Sequence, residues 1–328
     1  MLITFQDIIG QERAKNLLRT CRANNKISHA YLFRGPAGVG KKSLAQAFAA
    51  LINCRAAEGD RVCGQCPSCL KFASGNHPDF RHIQASGAYI KIDQVRELKK
   101  QLAYAPFEGR YRVILLDDIH QNLRGREAAN SLLKSLEEPP PYSIFILTAD
   151  EAGLVLPTIL SRCQVIPLYP LAREKVTRVL ESEGVDALTA SALAGFSEGS
   201  LGRARYLAGG EILELRREIA EMLVAGSPDK PDVDRIFALS DRAAVLKQDL
   251  EKLLDLLANW FRDVILADQG FKDRLINLDL QELTIKATTH WTREELSVKL
   301  SSVRQARSQL QRNCNPGLVL EVLFFELL

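Results

Sequence analysis

The sequence predicts a mostly parallel α/β domain of the phosphate-loop type, followed by an all-helical region. Three observations carry this. A glycine-rich stretch, Gly35-Pro36-Ala37-Gly38-Val39-Gly40-Lys41-Lys42-Ser43, lies between a short apolar run and a helical pattern. Two more apolar runs, Val113 to Leu116 and Ser143 to Thr148, end in acidic or polar residues. Buried parallel strands end this way at their carboxyl edge. From about Leu213 onward the apolar spacing is helical throughout.

Taken in order, Gln11 to Ala23 has helical period, and Tyr31-Leu32-Phe33 reads as a short buried strand. After the glycine-rich turn, Ser43 to Leu51 is again helical. Strand, glycine loop and helix in that order is the setting a Walker A phosphate loop requires. Backbone N–H groups and the positive end of the helix dipole suit a polyphosphate there. Gly35, Gly38 and Gly40 let the backbone approach closely and take positive φ. Lys41 is placed to reach the β- and γ-phosphates of ATP. The next residue should be Ser or Thr, whose hydroxyl ligates Mg²⁺. Here it is Lys42, with Ser43 one place late. A lysine cannot ligate a metal and adds positive charge beside it. A working ATP/Mg²⁺ site and a loop shape kept without nucleotide both remain open on the residues alone.

Just beyond that helix come Cys54, Cys63, Cys66 and Cys69, spaced C-x8-C-x2-C-x2-C. Four thiolates within sixteen residues can close a tetrahedral shell around Zn²⁺. Gly64 and Pro67 are expected to make the tight turns between ligands. The set leaves no open coordination position, which points to a structural metal rather than a catalytic one. Cys21, Cys163 and Cys314 are scattered and read as small buried residues. No signal peptide or long apolar span is evident, so a reducing cytoplasmic setting is expected, with no membrane partner.

Composition bounds the rest. A chain of 328 residues should split into two or three domains. Its 46% apolar content supports real cores, and 43 basic against 40 acidic residues give a net charge of only +3. That balance announces no polyanion partner, although a local basic surface is compatible with it.

Val113-Ile114-Leu115-Leu116-Asp117-Asp118 is a Walker B candidate. Asp117 would hold Mg²⁺ through water. Asp118 stands where a Glu usually polarises the attacking water, and it is shorter by one methylene. Asn130 to Glu138 is a helix stopped by Pro139-Pro140-Pro141. Ser143 to Thr148 is a further buried strand, and its polar end makes Thr148 a nucleotide-site candidate. Ser161-Arg162-Cys163 precedes a short strand from Gln164 to Leu168. Taken alone, Arg162 reads as an ordinary surface arginine before a strand. A helix is expected to start near Asp93, as N-cap, and to carry Arg96. Farther on, Val245 to Asp268 and Leu318 to Leu328 read as core or interface helices.

Ser161-Arg162-Cys163, Leu133-Lys134-Ser135-Leu136-Glu137-Glu138-Pro139-Pro140 and the cysteine insertion together resemble the bacterial clamp-loader subunits of the AAA+ superfamily. The likeness is strong to about residue 210. It implies an AAA+ P-loop domain with a zinc module over 1–168, a small helical lid over 169–210 and a helical collar over 211–328. It implies a replication role within the DNA polymerase III holoenzyme, a nucleotidyltransferase: ATP-driven loading of a sliding clamp on primer-template DNA. Partners would be gamma/tau motor subunits and the delta subunit. Arg162 would be an arginine finger reaching a neighbour's ATP, and Arg96 would touch duplex phosphates. A motor subunit, however, would have Thr at Lys42, Glu at Asp118 and an arginine at Gly202 in Gly199-Ser200-Leu201-Gly202-Arg203, and many motors carry a longer tail. These departures favour a member with weak or absent ATPase activity. An ATP-hydrolysing motor of gamma type and a zinc-ribbon nucleic-acid binder are the alternatives.

Overall fold

Along the three central strands of the first unit nearly every residue is buried, whichever face of the sheet it points to. That is what a parallel sheet covered on both faces demands. The computed structural model describes residues 1–328 except 59–60, 88, 124–125 and 228–230. The chain divides into two compact units, Met1–Leu171 and Ala172–Leu328.

In the first unit, helix α1 (Glu12–Ala23) leads to strand β1 (Ala30–Arg34) and helix α2 (Lys41–Asn53). Helix α3 (Pro67–Ser74), β2 (Phe80–Ile83), α4 (Ile92–Leu102) and β3 (Arg112–Leu116) follow. A short α5 (Ile119–Asn122), then α6 (Arg126–Glu137), β4 (Ser143–Ala149), α7 (Pro157–Leu160) and β5 (Gln164–Pro167) complete it. The five strands are all parallel, in the order β2-β3-β4-β1-β5. Tyr31, Phe33, Val113, Leu115, Ile144 and Ile146 pack with Leu44, Phe48 and Leu18 of α2 and α1 on one face. Leu32, Ile114, Leu116, Phe145 and Leu147 pack with Val95, Leu98, Leu132 and Leu136 of α4 and α6 on the other.

One buried carboxylate fixes the entry to β3. Asp79, fully buried, accepts backbone N–H bonds from Phe107 (2.6 Å), Glu108 (2.9 Å) and Gly109 (2.8 Å). Nearby, His77 accepts at Nδ1 from the Asp79 amide and meets Ser68 Oγ at 3.0 Å, so α3 is tied to the same turn. Its ring also stacks on Phe72 at 4.2 Å between centroids.

The second unit is helical throughout its described residues: α8 (Arg173–Ser182), α9 (Ala187–Phe196), α10 (Leu201–Ala208), α11 (Ile212–Ala225), α12 (Val233–Val245), α13 (Leu250–Asp268), α14 (Gln281–His290), α15 (Arg293–Gln311) and α16 (Pro316–Glu326). Leu253, Leu257, Trp260 and Phe261 are buried along α13, and Leu320, Leu323 and Phe324 along α16. A polar node sits inside this apolar setting. Arg216, on α11, is fully buried, bonds Asn277 Oδ1 at 2.7 Å and Asp279, and lies over the Phe196 ring. Asp263 on α13 accepts from the amides of Ile276 and Asn277 at 2.7 Å each. Helices α9, α11 and α13 and the 276–279 turn are thereby locked to one another.

Several local expectations are corrected. Asp93 is not the N-cap of α4. Lys91 is, because Gln94 Oε1 reaches back to its amide at 3.0 Å. The expected helix from Val245 to Asp268 breaks at Lys247, whose φ is positive, and restarts at Leu250. Gly64 does take positive φ, but Pro67 opens α3, where its missing N–H costs nothing. Cys314 is exposed; Cys21 and Cys163 are half-buried. Burial pushes the Cys163 thiol up to about 12.

Asp79 yields a test of the fold. Burial works against its charged form, but three backbone donors outweigh that and hold its carboxyl below the usual range. A depressed folded value stabilises above the unfolded value of about 3.9 and is lost as pH falls through the folded one. Asp79→Asn is expected to cost about 2 kcal/mol at pH 7 in urea unfolding. The gap to wild type should narrow once the pH drops below about 4.

Candidate functional site

The phosphate loop lies at the carboxyl edge of the sheet, where ligands of open α/β folds bind. Gly35, Gly38 and Gly40 have φ of 153°, 75° and 102°. A Cβ on Gly35 would stand 2.3 Å from the Leu168 carbonyl oxygen at the end of β5, so this position is closed to any side chain. A Cβ on Gly40 would meet nothing within 4 Å, so glycine serves there for its φ.

Both loop lysines are engaged. Lys41, 6% exposed, donates to the carbonyls of Gly35 and Pro36 and pairs with Asp150 Oδ1 at 2.8 Å. Asp150 follows β4 directly. Lys42 pairs with Asp117 Oδ2 at 2.9 Å. His82, on β2, donates from Nε2 to the same oxygen. Burial raises the Asp117 carboxyl, but hydrogen bonds from His82 and Lys42 outweigh it and leave the group below its ordinary value. The other oxygen, Oδ1, is sealed from solvent and has no hydrogen-bond partner. Asp118, in left-handed conformation at φ 44°, is tied to Thr148: its amide donates to Thr148 Oγ1 at 2.9 Å, and that hydroxyl faces Asp118 Oδ1 at 3.4 Å.

The structure thus brings together Lys41, Lys42, Asp117, Asp118 and Thr148 around one strand edge. Thr148 is fully buried and serves Asp118. Ser43 lies one residue further along α2, about 100° round the helix, and takes no part in these pairings. Sequence reasoning missed Asp150 and His82. Asp150 lies just past the end of a buried strand, as Asp117 does, and that placement was the available signal; His82 lies inside the edge strand β2, in register with Leu115, and no sequence pattern marked it.

The donor set does not fit Mg²⁺. No hydroxyl follows Lys41, one Asp117 oxygen is sealed, and the other carries an ammonium and an imidazole. Two unit charges 4 Å apart repel by about 4 kcal/mol at an effective dielectric of 20, and a divalent ion doubles the term.

The four cysteines do converge. The Sγ atoms of Cys54, Cys63, Cys66 and Cys69 lie within 4.8 Å of one another, with Cys63 and Cys69 3.9 Å apart. Tetrahedral sulfurs at a Zn–S distance of about 2.3 Å would be roughly 3.8 Å apart. Backbone N–H groups of Gln65 and Cys66 pull the Cys63 thiol down to about 6. This cluster can hold a metal ion.

Arg162 sits in the turn between α7 and β5. Its guanidinium pairs with Glu137 Oε1 at 2.5 Å and donates to the Thr158 carbonyl at 2.8 Å and to Ser161 Oγ at 3.1 Å. None of these partners belongs to the phosphate loop. Arg96 is 65% exposed and pairs with Asp93 at 3.2 Å; Glu97 and Lys100 pair alongside. In the second unit, Ser200 Oγ caps α10 by accepting from the Arg203 amide, and the Arg203 side chain faces Glu198 at 3.9 Å.

Strand order, phosphate loop and paired acids define an AAA+ α/β domain joined to a helical region. Residues 10–172 match a family profile described as DNA polymerase III, delta subunit, and 213–327 match a second profile, for the C-terminal part of the same delta subunit. The chain is 30% identical over 257 residues to the DNA polymerase III gamma subunit of Buchnera aphidicola, covering 76% of this chain and 68% of that one. It is 29% identical over 308 residues to the delta' subunit of Bacillus subtilis, covering 93% and 92%. Against the tau/gamma subunit of Haemophilus influenzae identity is 32% over 268 residues, 78% of this chain but only 38% of that longer protein. The chain belongs to the delta/gamma/tau family of DNA polymerase III clamp-loader subunits. Among the described residues no helix is long and apolar enough to cross a membrane.

Gly35→Ala should be costly, since its Cβ would meet backbone that cannot swing aside. A loss of about 2 kcal/mol or more in denaturant unfolding is expected. Gly40→Ala, limited to the φ penalty, should cost about 1 kcal/mol.

Proposed function

We propose that this chain is a delta-prime-type clamp-loader subunit: a largely non-hydrolysing member of the ATP-driven machine that loads a sliding clamp on primed DNA. Its partners in this reading are gamma/tau motors and delta. The observation that carries it is the Lys42–Asp117 pair, which occupies the carboxylate a hydrolytic site would give to metal. Asp118 is held by Thr148 rather than free to polarise water. Gly202 leaves the lid position of the motor's arginine without a side chain. The match along most of a delta' relative supports the same reading.

In this reading Arg162 acts in trans on a neighbouring motor's ATP. A guanidinium suits that role because it is always charged and bidentate. Its pairing with Glu137 would park it until a neighbour docks. The chain would follow the three-part plan of AAA+ domain, lid over 169–210 and collar over 211–328. Its four cysteines would hold one structural Zn²⁺, and Arg96 would contact duplex phosphates without sequence preference.

Two measurements test this. The isolated chain should show negligible ATPase activity, and Lys42→Thr alone should not restore it. In an assembled clamp loader, Arg162→Ala should leave folding, zinc content and assembly intact yet lower DNA-stimulated ATP hydrolysis and clamp loading. The loss should fall short of the roughly 10³-fold worth of arginine fingers elsewhere, because other motor sites keep theirs. Arg162→Lys should rescue poorly. Unchanged loading by a correctly assembled Arg162→Ala complex removes the trans role.

The metal has its own check. Protein purified without chelator should carry one zinc per chain by elemental analysis. Stripping it should destabilise the segment from Cys54 to Ser74, seen as faster amide exchange there.

A further inference from the structure

The misfit between this site and Mg²⁺ has a specific cause. We propose that the Lys42 ammonium is a built-in replacement for the divalent cation on Asp117, closing the loop to metal. A nucleotide polyphosphate entering the loop would then meet two lysines and no metal ion. The inference concerns this chain's own residues and holds whichever clamp-loader subunit it is.

Geometry carries the argument. A metal reaching Asp117 has two oxygens to choose from. Oδ1 is sealed and cannot be approached from solvent. Oδ2 already receives Lys42 Nζ at 2.9 Å and the His82 Nε2 proton. Asp117 as a whole is 3% exposed, whereas the Lys42 side chain is 51% exposed. The lysine thus lies across the solvent side of the carboxylate. Charge is balanced locally as well: Lys42 against Asp117, and Lys41 against Asp150. Lysine suits the substitution because it brings a compact cation on a stem long enough to span from α2 to the end of β3. It cannot supply the geometry of a metal, with its open ligand positions for phosphate and water.

Mn²⁺ binding to the full, zinc-loaded chain tests this, read from the loss of the free-ion paramagnetic resonance signal in nucleotide-free buffer. Wild type and Asp117→Asn should titrate alike, because Asp117 offers the ion nothing in either. Lys42→Thr removes the ammonium and adds the missing hydroxyl. It should bind one Mn²⁺ about tenfold tighter or better, the scale on which the surroundings of a site alter metal affinity. Lys42→Thr combined with Asp117→Asn should lose that gain. Lys42→Met removes charge without adding a ligand and should fall between. Circular dichroism of each variant shows whether it is folded. Mn²⁺ binding by wild type that Asp117→Asn abolishes would overturn the proposal. So would folded Lys42→Thr and Lys42→Met variants that both bind no better than wild type.

Discussion

A parallel sheet with both faces covered leaves only its strand ends to solvent, and in this chain the carboxyl ends carry a dense set of charges. Asp117, Asp118 and Asp150 project from the ends of two neighbouring strands, and the first turn of α2 presents two lysines to them. Such a cluster is stable only if every charge finds a partner, because desolvated unpaired ions are costly. The pairing that results, Lys41 with Asp150 and Lys42 with Asp117, sets the character of the whole edge. His82 and Thr148 then take up the remaining polar positions around those carboxylates.

A phosphate loop in this fold ordinarily balances its acids with a metal that arrives with the nucleotide. Here the counter-charge is covalent. An ammonium fixed to α2 differs from a bound ion in three ways: it does not dissociate, it offers no open coordination position, and it cannot activate water. Loop geometry survives, down to a glycine whose Cβ position is filled by the Leu168 carbonyl. In the reading proposed above, the loop keeps the backbone of a nucleotide site without its hydrolytic chemistry. Architecture and hydrolysis are separable because the first depends on apolar packing and glycine φ, and the second on three or four polar atoms.

Away from that edge, the chain secures itself with buried polar nodes. Asp79 gathers three amides ahead of β3, and His77 links the same turn to α3. In the helical unit, Arg216 and Asp263 bind a short turn between α13 and α14 to the surrounding helices. Each node stands where a loop must be held in one conformation and where apolar contact alone would leave its backbone N–H groups unsatisfied.

The sequence by itself determined four of the five strands, the loop and the cysteine spacing; the edge strand β2, with Arg81 exposed and no buried residue, carries no apolar run and was not legible. Short continuous apolar runs and the 3.6-residue helical period are local patterns, and glycine and cysteine spacing is read directly along the chain. It also located Lys42 as a departure, because one residue type replaced another at a fixed place. What only the tertiary structure decided is how the charges pair. Residues 41 and 150, 42 and 117, and 82 and 117 are far apart in sequence, and no periodicity joins them. Likewise the chain could not announce that Thr148 turns to Asp118, or that Asp79 lies under the 107–109 turn. Those arrangements follow from strand order, which brings β4 between β1 and β3 and β2 to the outer side of β3, and from the cost of leaving a buried charge unpaired.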